Sequence, residues 1–369
     1  MVAGVYEPNS APTNRLLSFV RAFEEMNIET IVVFIEPNRT RDKIEQTYKY
    51  VTLKYLWDSS LVKNYIYDKL LAGFRVQRFC RLLGSGDKVF VFGASAYLHY
   101  FTTRRNVSIY HERTEHPDVV RLRFGFERNR YLSSCRKLKG LFVISTALKE
   151  FFLGVGIPSD KICIVNMTVD NTRFDGLQRD GDSERYIAYC GTASNNKDGV
   201  DRLIRAFGIV AQKHQDVKLY IIGKAPSVSD EAGNLKLIDE LRLNDKVVFT
   251  GVKPAIEIPR LLINAVVLAL ARPDSLQAKN GFPTKLGEYL STGNPVVVTK
   301  VGDIPLFLKD KDSALLVDAD NIVEFANQLC WVLDNPKEAE RIGANGRKVA
   351  LRYFDSTLEA QKIVRYIFA

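Results

Sequence analysis

The sequence is poor in cysteine and lacks any long apolar run. Its five cysteines are scattered and form no Cys-x-x-Cys pair, which argues against a disulfide framework and a cysteine-ligated metal site and indicates a reducing compartment. The longest uninterrupted apolar stretch, from Ala265 to Ala271, is far too short to span a bilayer. No signal peptide precedes the first strand-like residues, so we expect a cytoplasmic protein.

An excess of basic over acidic residues is nearly confined to the first half of the chain. The 369 residues carry a net charge of +9, and residues 1–180 hold 27 Lys and Arg against 19 Asp and Glu. Residues 181–369 hold 25 against 24. A basic first half predicts an anionic partner, such as a membrane surface, a lipid phosphate or a nucleic acid.

Two segments with interspersed aromatic and basic residues are candidates for that contact. Residues 61–83 predict a long helix, and residues 121–139 hold seven Lys and Arg against the single Glu127. Each segment either docks on anionic lipid or a lipid-linked acceptor at the inner face of the cell membrane, or is an ordinary helix with solvated charges. No recognised nucleic-acid-binding module accompanies the charge, so we expect no nucleic-acid partner.

Alternating buried strands and amphipathic helices predict an α/β protein with two doubly wound domains. The first predicted domain covers residues 1–178 and the second residues 185–354, with a polar, glycine-containing linker within 175–184. A last predicted helix covers residues 355–369. The length of the chain is comfortable for two hydrophobic cores.

The stretch 280–296 has the pattern of a loop, a helix, a glycine stop and a buried strand. Apolar residues recur at helical spacing until Gly293 ends the helix. The free N–H groups of residues 282–285 at the helix start would form an anion site, and Glu288 lies just over one turn further on. A phosphate-binding helix end beside a carboxylate that can bind vicinal hydroxyls predicts a nucleotide site. The alternative is an ordinary α/β unit with a solvated glutamate.

A second phosphate-binding pattern opens the second domain. The strand 186–190 leads into the turn 191–199, which contains Lys197 and precedes a helix. A strand, a glycine loop, a lysine and a helix in this order cradle phosphate. The alternative is that Lys197 is an ordinary surface lysine.

Polar residues follow strands at two places in the first domain. Residues 9–15 follow the first strand and begin a helix, with Thr13 or Asn14 as the expected cap. Residues 111–117 follow the strand 107–110 and start with six consecutive polar or charged residues. The carboxyl ends of parallel strands line the binding crevice of a doubly wound sheet, so both loops are predicted to meet a ligand. For the second loop, the alternative is a turn held by internal ion pairs.

In their order and spacing these motifs resemble the retaining family 4 glycosyltransferases, a set of group 1 glycosyl transferases. The donor signature of that family has two glutamates separated by seven residues and ends in a Gly-x-Pro-Val-Val strand. Glu288 matches the second glutamate, whereas Asn280 stands where the first belongs. The family's phosphate loop has an arginine and a lysine; Lys197 matches the lysine, and Thr192 replaces the arginine. The resemblance is strong over residues 186–355 and loose before them.

The resemblance implies a GT-B fold, in which two Rossmann-like domains face a cleft and a C-terminal helix crosses back to the first domain. It also implies metal-independent transfer of a sugar, with retention of configuration, from a nucleotide-diphosphate sugar to a sugar or lipid-linked acceptor. Surface polysaccharide or glycolipid assembly is the expected setting. The donor is a substrate, so no cofactor is expected. Two Asp-x-Asp triplets, at residues 310–312 and 318–320, match the metal motif of other transferases only trivially, and we assign them no metal.

By this resemblance the site residues fall into three groups. The catalytic group is Lys197, Glu288 and His111. The donor-binding group is Gly191, Thr192, Lys197, Val252, Asn280, Gly281, Phe282, Pro283, Thr284, Lys285 and Glu288. The acceptor-side group is Asn14, Arg15, Glu112 and Glu115. The departures at Asn280 and Thr192 leave two alternative hypotheses, a nucleotide-sugar-binding subunit without catalysis and a sugar-nucleotide epimerase of similar fold.

Overall fold

The computed structural model describes residues 1–7, 10–38, 44, 47–57, 65–103, 107–119, 125–181 and 184–369, with the backbone alone for residues 11 and 65–69. The predicted features at residues 8–9, 61–64, 121–124 and 182–183 lie outside this range, including Arg121 and Arg123 of the basic segment. The described chain forms two compact units, Met1–Asn166 with Ser356–Ala369, and Met167–Asp355. Within the described ranges, no helix has the length and apolar character needed to cross a membrane.

The first unit contains a parallel sheet of seven strands. The strands are β1 Val2–Ala3, β2 Thr30–Phe34, β3 Val51–Tyr55, β4 Lys88–Phe92, β5 Ser108–Arg113, β6 Gly140–Val143 and β7 Ile162–Ile164. Their order in the sheet is β3-β2-β1-β4-β5-β6-β7. The helices are α1 Ala11–Glu25, α2 Tyr65–Cys80, α3 Leu98–Thr102, α4 Gly125–Cys135, α5 Thr146–Gly154 and, at the end of the chain, α15 Ser356–Phe368.

The second unit contains a parallel sheet of six strands. The strands are β8 Tyr186–Cys190, β9 Lys218–Ile222, β10 Val247–Gly251, β11 Val267–Leu270, β12 Val296–Thr299 and β13 Leu315–Val317. Their order is β10-β9-β8-β11-β12-β13. The helices are α6 Asn195–Asp198, α7 Val200–Lys213, α8 Val228–Glu240, α9 Ile258–Asn264, α10 Leu276–Asn280, α11 Thr284–Ser291, α12 Ile304–Phe307, α13 Ile322–Asp334 and α14 Pro336–Tyr353.

Strand composition explains why both sheets are parallel and buried. Every residue of β11 and β12 is buried, and both strands are runs of apolar side chains closed in β12 by one threonine. A run without polar alternation needs both faces of its sheet covered, which the helices between parallel strands provide. The predicted two-part α/β architecture is therefore confirmed.

One predicted strand has the observed bounds, and other elements were missed. Strand β8 begins and ends where the sequence placed it, at residues 186–190, and β12 follows the glycine stop as expected. Strand β3 was not predicted; it lies at the edge of its sheet and four of its five residues are at least partly exposed, so its hydrophobic pattern is weak. Helix α8 was also not predicted.

The compact units divide before the linker that the sequence indicated. Met167 packs against helix α11, where a Cβ added to Gly287 would lie 1.9 Å from the Met167 Cε atom. The Ser291 hydroxyl of the same helix donates to Asn171 Oδ1 at 2.7 Å. Residues 167–174 thus pack with the second unit.

Helix α15 packs on α1, and Thr357 Oγ1 donates to Glu25 Oε2 at 3.0 Å. The bounds of independently folding domains stay a prediction.

Candidate functional site

The strand order of the second sheet reverses between β8 and β11. From β8 the sheet continues to β9 on one side, and from β11 it continues to β12 on the other. The loops after β8 and β11 therefore leave in opposite directions and open a crevice at the carboxyl edge, where ligands of doubly wound sheets bind. Residues 191–199 form the first of these loops, and residues 271–283 lead from β11 through α10 into α11. The predicted donor residues of both stretches lie at this edge.

The loop after β8 depends on glycine at two positions. Gly191 has a φ of +144°, and a Cβ at this position would lie 2.7 Å from Lys285 Cε and 2.8 Å from its Nζ. Gly199 has a φ of +68°, and its Cβ would lie 1.9 Å from the carbonyl oxygen of Ala271. Only glycine tolerates both this backbone conformation and this close approach. The loop is thus pressed against the chain that leaves β11.

A buried carboxylate organises the charges of this loop. Asp198 has a side chain 2% exposed. It accepts hydrogen bonds from the Lys285 ammonium and, at 2.9 Å, from the Tyr189 hydroxyl. Arg272 Nε lies 3.7 Å from the other carboxylate oxygen. Burial alone would raise the pKa of Asp198, but the charges of Lys285 and Arg272 outweigh it and hold that pKa below its usual value.

The cations around Asp198 outnumber the carboxylate. Burial lowers the pKa of Lys285 below its usual value, against the opposing effect of the Asp198 charge. The positive charge of Lys197 acts in the same direction as burial, which places this lysine in the same electrostatic neighbourhood. Arg272 also donates to the Lys197 carbonyl at 3.3 Å, so the backbone of the loop is fixed. The positive charges of Lys285, Arg272 and Lys197 thus lie in one neighbourhood at the crevice, which suits an anionic ligand.

Helix α11 begins at the same place without a side-chain cap. Pro283 occupies the N-cap position with a φ of −74° and accepts the N–H of Leu286 at 3.0 Å. No side chain caps the start of this helix. The N–H groups of Thr284 and Lys285, which precede Leu286, are therefore available to an anion at the positive end of the helix dipole.

Glu288 lies one turn into α11 and is already paired. Its Oε1 atom accepts a hydrogen bond from Arg173 Nη1 at 2.5 Å. Both side chains keep about a quarter of their surface exposed, 25% for Arg173 and 27% for Glu288. Arg173 Nη2 donates to the carbonyl of Ala255 at 3.0 Å. The predicted ribose-binding carboxylate is thus accessible, with its position fixed by an arginine.

The residues before α11 lie deeper than the sequence indicated. Asn280 ends helix α10, is 8% exposed, and donates through Nδ2 to the carbonyl of Leu276 at 2.9 Å. The expectation of a loop at this position is therefore wrong. Phe282 is 7% exposed and packs on Phe307 and Phe354, with ring centroids 5.5 and 5.3 Å away. These contacts anchor the chain at the helix start.

Two other predicted donor residues are exposed. Thr192 is exposed, and its carbonyl oxygen lies 2.6 Å from the Tyr189 hydroxyl oxygen. Val252 follows β10 and is 67% exposed. Both side chains are therefore accessible to a ligand. Gly281 lies between Asn280 and Phe282 in extended backbone, with a φ of −97°.

In the first unit, His111 is a buried residue of strand β5. The sequence placed it in a loop, and that expectation is wrong, because β5 continues to Arg113. Its Nδ1 atom donates to the Val91 carbonyl at 2.9 Å, so its Nε2 atom accepts the Tyr131 hydroxyl at 3.2 Å. Burial lowers the pKa of His111 to about 3. The imidazole is neutral and both ring nitrogens are occupied; its catalytic role stays a prediction.

Arg15 and Glu112, both predicted on the acceptor side, bind each other. Arg15 Nε and Nη2 donate to Glu112 Oε1 at 3.1 and 2.8 Å. Arg15 Nη1 donates to the carbonyl of Asn166 at 2.9 Å. The two side chains are 6% and 3% exposed. The structure therefore brings these residues together but uses them as an internal ion pair.

The other two predicted acceptor residues are more accessible. Asn14 is exposed within helix α1 and is not its cap; the cap is Ser10, whose side chain accepts the N–H of Thr13 at 3.3 Å. The sequence-based cap was wrong because the helix starts at Ala11, before the first large apolar residue. Glu115 is partly exposed, and its carbonyl accepts Arg113 Nε at 2.7 Å.

Four residues of the second-unit site escaped the sequence reasoning: Tyr189, Asp198, Arg272 and Arg173. Asp198 directly follows Lys197, so a carboxylate beside a predicted phosphate-binding lysine was a usable signal. The Arg173–Glu288 pair joins residues 115 positions apart, and no local pattern announces it. In the described parts of the chain, no three His, Cys, Asp or Glu side chains are grouped to hold a metal ion.

This geometry agrees with a match to a protein family. Residues 174–349 match the family model described as glycosyl transferases group 1. The match therefore covers most of the second unit, Met167–Asp355. The matched range covers the loop after β8, the ionic cluster and all of α11, and starts one residue after Arg173. The group 1 resemblance drawn from the sequence is therefore confirmed.

Curated relatives of the chain are glycosyltransferases. It is 26% identical over 272 residues to the MMP α-(1→4)-mannosyltransferase of Mycolicibacterium hassiacum, covering 73% of this chain and 63% of the relative. It is also 26% identical, over 63% of this chain and 58% of the relative, to the GDP-mannose-dependent α-(1-6)-phosphatidylinositol monomannoside mannosyltransferase of Mycolicibacterium smegmatis. The alignments thus span about three fifths of the length of these relatives.

Solved structures share the fold. HepE of Anabaena, in complex with UDP and glucose, aligns with a TM-score of 0.74 at 16% identity, covering 99% of this chain and 98% of that one. Sucrose-phosphate synthase of Thermosynechococcus elongatus aligns with a TM-score of 0.77 at 14% identity, covering 99% and 97%. Together with the sheets of seven and six parallel strands, these likenesses confirm the predicted GT-B fold class.

Proposed function

We propose that this protein transfers a sugar, with retention of configuration, from a nucleotide-diphosphate sugar to an acceptor. The observation that carries the proposal is the lysine-containing, partly open site at the strand-order reversal of the second sheet. It combines an uncapped helix N-terminus, two lysines and an accessible glutamate. Two of the curated relatives are mannosyltransferases by name, and one of these two is GDP-mannose-dependent.

The proposed donor site has a phosphate half and a nucleoside half. Lys197 and the N–H groups of Thr284 and Lys285 would hold the diphosphate and stabilise its charge as it leaves, a preorganised electrostatic role. Asp198 would hold the Lys285 ammonium beside Gly191, so that the ammonium keeps its position when the diphosphate leaves. Glu288 would bind the ribose hydroxyls, and the loop beginning at Val252 would meet the base.

The sugar half of the site is where this chain departs from its family. Asn280 gives its amide hydrogen to a helix carbonyl, and its surroundings are buried. We propose that backbone groups at Gly281 and Phe282 take over contacts to the transferred sugar. We assign no nucleophile among the described residues of the site, so retention rests on the family resemblance.

We assign acceptor recognition to the first unit, with Asn14 and Glu115 as the accessible candidates. The proposed setting is surface polysaccharide or glycolipid assembly in the cytoplasm, with peripheral contact to the inner face of the cell membrane. Phe126 of helix α4 is 58% exposed within the basic segment, which supports such contact. Arg128 pairs with Asp118 at 2.5 Å and Arg136 donates to the Val155 carbonyl, so these two bases are already engaged.

Incubation with UDP-, GDP- and ADP-sugars, followed by NMR of the sugar, tests the proposal. We expect one donor class to lose its sugar, by transfer to a supplied acceptor or by slow hydrolysis, and Lys197→Ala to slow this reaction by about a hundredfold or more. Donor binding without any turnover would favour the non-catalytic subunit that the Asn280 and Thr192 departures suggest. A changed sugar still attached to its nucleotide, in the absence of acceptor, would identify an epimerase.

A further inference from the structure

Arg173 connects two parts of the proposed nucleoside half. Its Nη1 atom donates to Glu288 at 2.5 Å, and its Nη2 atom donates to the Ala255 carbonyl at 3.0 Å. Ala255 lies in the loop after β10, three residues beyond Val252. One guanidinium therefore binds both the carboxylate assigned to the ribose and the loop assigned to the base.

The backbone around Arg173 is fixed on both sides. Asn171 is buried, and its Oδ1 atom accepts the Ser291 hydroxyl of helix α11 at 2.7 Å. Phe174 is 1% exposed, and the guanidinium of Arg173 lies 6.0 Å from the centre of its ring. Asp170 caps the short turn Asn171–Phe174 by accepting the N–H of Thr172 at 3.2 Å. The arginine thus projects from a rigid turn and can hold its partners in place.

The pairing divides the two oxygens of the Glu288 carboxylate. Oε1 is taken by Arg173, while Oε2 has no hydrogen bond among the described contacts and the side chain is 27% exposed. A carboxylate held through one oxygen presents the other in a defined direction, and hydrogen bonds to a carboxylate are stronger than those between neutral groups. A ribose 2′- or 3′-hydroxyl donates to such an oxygen, whereas a deoxyribose lacks one of these donors.

We propose that Arg173 is a positioning residue for ribose recognition, which acts by holding the Glu288 carboxylate and the 252–257 loop in one arrangement. The proposal rests on the assignment of Glu288 to the ribose. It makes Arg173 responsible for discrimination between ribonucleotides and 2′-deoxyribonucleotides, although Arg173 itself need not touch the nucleotide. It also couples ribose binding to the loop that meets the base.

Calorimetric titrations with UDP, GDP, dUDP and dGDP test this role. The wild type is expected to bind one ribonucleotide more tightly than its deoxy counterpart. Glu288→Gln should abolish this preference, and Arg173→Gln should reduce it about tenfold or more, as for loss of a hydrogen bond to a charged group. Arg173→Lys keeps the charge but cannot serve both partners, so it should restore the preference only in part.

The double variant decides how Arg173 acts. If it works through Glu288, adding Arg173→Gln to Glu288→Gln changes the preference no further. Arg185→Gln is the matched control, because Arg185 also pairs with a carboxylate, Asp216 at 2.5 Å, but precedes β8 at the opposite edge of the sheet. Its preference should equal that of the wild type. Thermal unfolding of each variant checks that the second unit is folded.

The outcomes separate this inference from the proposed function. A wild-type preference that survives Arg173→Gln, or an Arg173→Gln effect that persists in the Glu288→Gln background, overturns the positioning role alone. A wild type that binds none of the four nucleotides overturns the proposed donor site and the positioning role together.

Discussion

The polar side chains at the carboxyl edges of the two sheets differ in how far they are exposed to solvent. In the second unit, Lys197 and Glu288 are partly exposed, and Glu288 lies one turn from the uncapped start of α11. In the first unit, Arg15, Glu112 and His111 are buried and bind one another or the fold around them. Both regions arise from the same sequence pattern, polar residues at the carboxyl end of a buried strand. The pattern places a residue at the ligand edge of a sheet, but burial decides whether its side chain serves a ligand or the fold.

This difference predicts opposite responses to substitution. A partly exposed charge can be removed at little cost to folding, because water already solvates it in part. A buried ion pair has lost its hydration, so removal of one partner leaves a charge without compensation. The two tryptophans allow the units to be followed separately, since Trp57 lies in the first and Trp331 in the second.

The largest effect is expected from Lys197→Ala. Loss of this charge should lower turnover of the nucleotide-sugar donor by about a hundredfold to a thousandfold, the range for removing one electrostatic stabiliser of a leaving group. Unfolding followed by Trp331 emission should be unchanged. Lys236→Ala is the matched control, since Lys236 is 79% exposed and pairs with Glu240 on its own helix. Equal turnover in the two variants would contradict the assignment of Lys197.

Glu112→Ala should have the opposite effect to Lys197→Ala, with lower stability and unchanged nucleotide affinity. It leaves Arg15 buried without its partner, which typically costs about 3–5 kcal/mol of the free energy of unfolding. Urea unfolding of the first unit, followed by Trp57 emission in a Trp331→Phe background, measures that loss. Nucleotide affinity should remain that of the wild type. Glu150→Ala, at an exposed position of helix α5, is the control. A stable variant with altered donor or acceptor kinetics would show that Glu112 serves a ligand.

Gly191→Ala should damage both properties of the second unit. The non-glycine residue is strained at a φ of +144°, which costs about 1–3 kcal/mol, and its Cβ displaces the Lys285 ammonium from Asp198. We expect lower stability and a nucleotide affinity reduced by about tenfold. Gly233→Ala, in helix α8 with open space around the added Cβ, should be neutral or stabilising. Unaltered affinity in Gly191→Ala would mean that Lys285 does not act from its observed place.

His111 should make the first unit sensitive to acid. Burial lowers the pKa of His111 from 6.5 to about 3. Between these two pH values the unfolded chain binds a proton at His111 and the folded chain does not. Stability should therefore fall as the pH drops below 6.5, by at most about 1.4 kcal/mol per pH unit, and level off near the folded pKa. His111→Asn, which retains a donor for the Val91 carbonyl, should show a shallower slope in urea midpoints over this range. Parallel slopes for the two proteins would refute the assignment.

The smallest effect is expected from metal removal. The diphosphate charge is assigned to lysines and helix N–H groups, so turnover should be the same in excess chelator as in added Mg²⁺. Initial rates in both buffers measure this directly. A loss of turnover that Mg²⁺ restores would contradict metal-independent transfer.

Local sequence patterns were sufficient to predict the fold class and to locate Lys197 and Glu288 in the candidate site. Buried apolar runs such as β12, a glycine stop and a lysine turn located the edge at which Lys197 and Glu288 lie. They could not locate Arg173 or choose Asp198 as the partner of Lys285, because these contacts depend on how distant segments pack. Nor could they show that Arg15 and Glu112, 97 positions apart, neutralise each other.

A structure of the protein with UDP or GDP, whichever calorimetry shows to bind, tests the central claim most directly. We predict the diphosphate at the start of α11, within hydrogen-bond distance of the Thr284 and Lys285 N–H groups and of the Lys197 ammonium. A ribose hydroxyl should lie on Glu288 Oε2. A nucleotide bound in the first unit, or a diphosphate away from Lys197 and the helix start, would contradict the account.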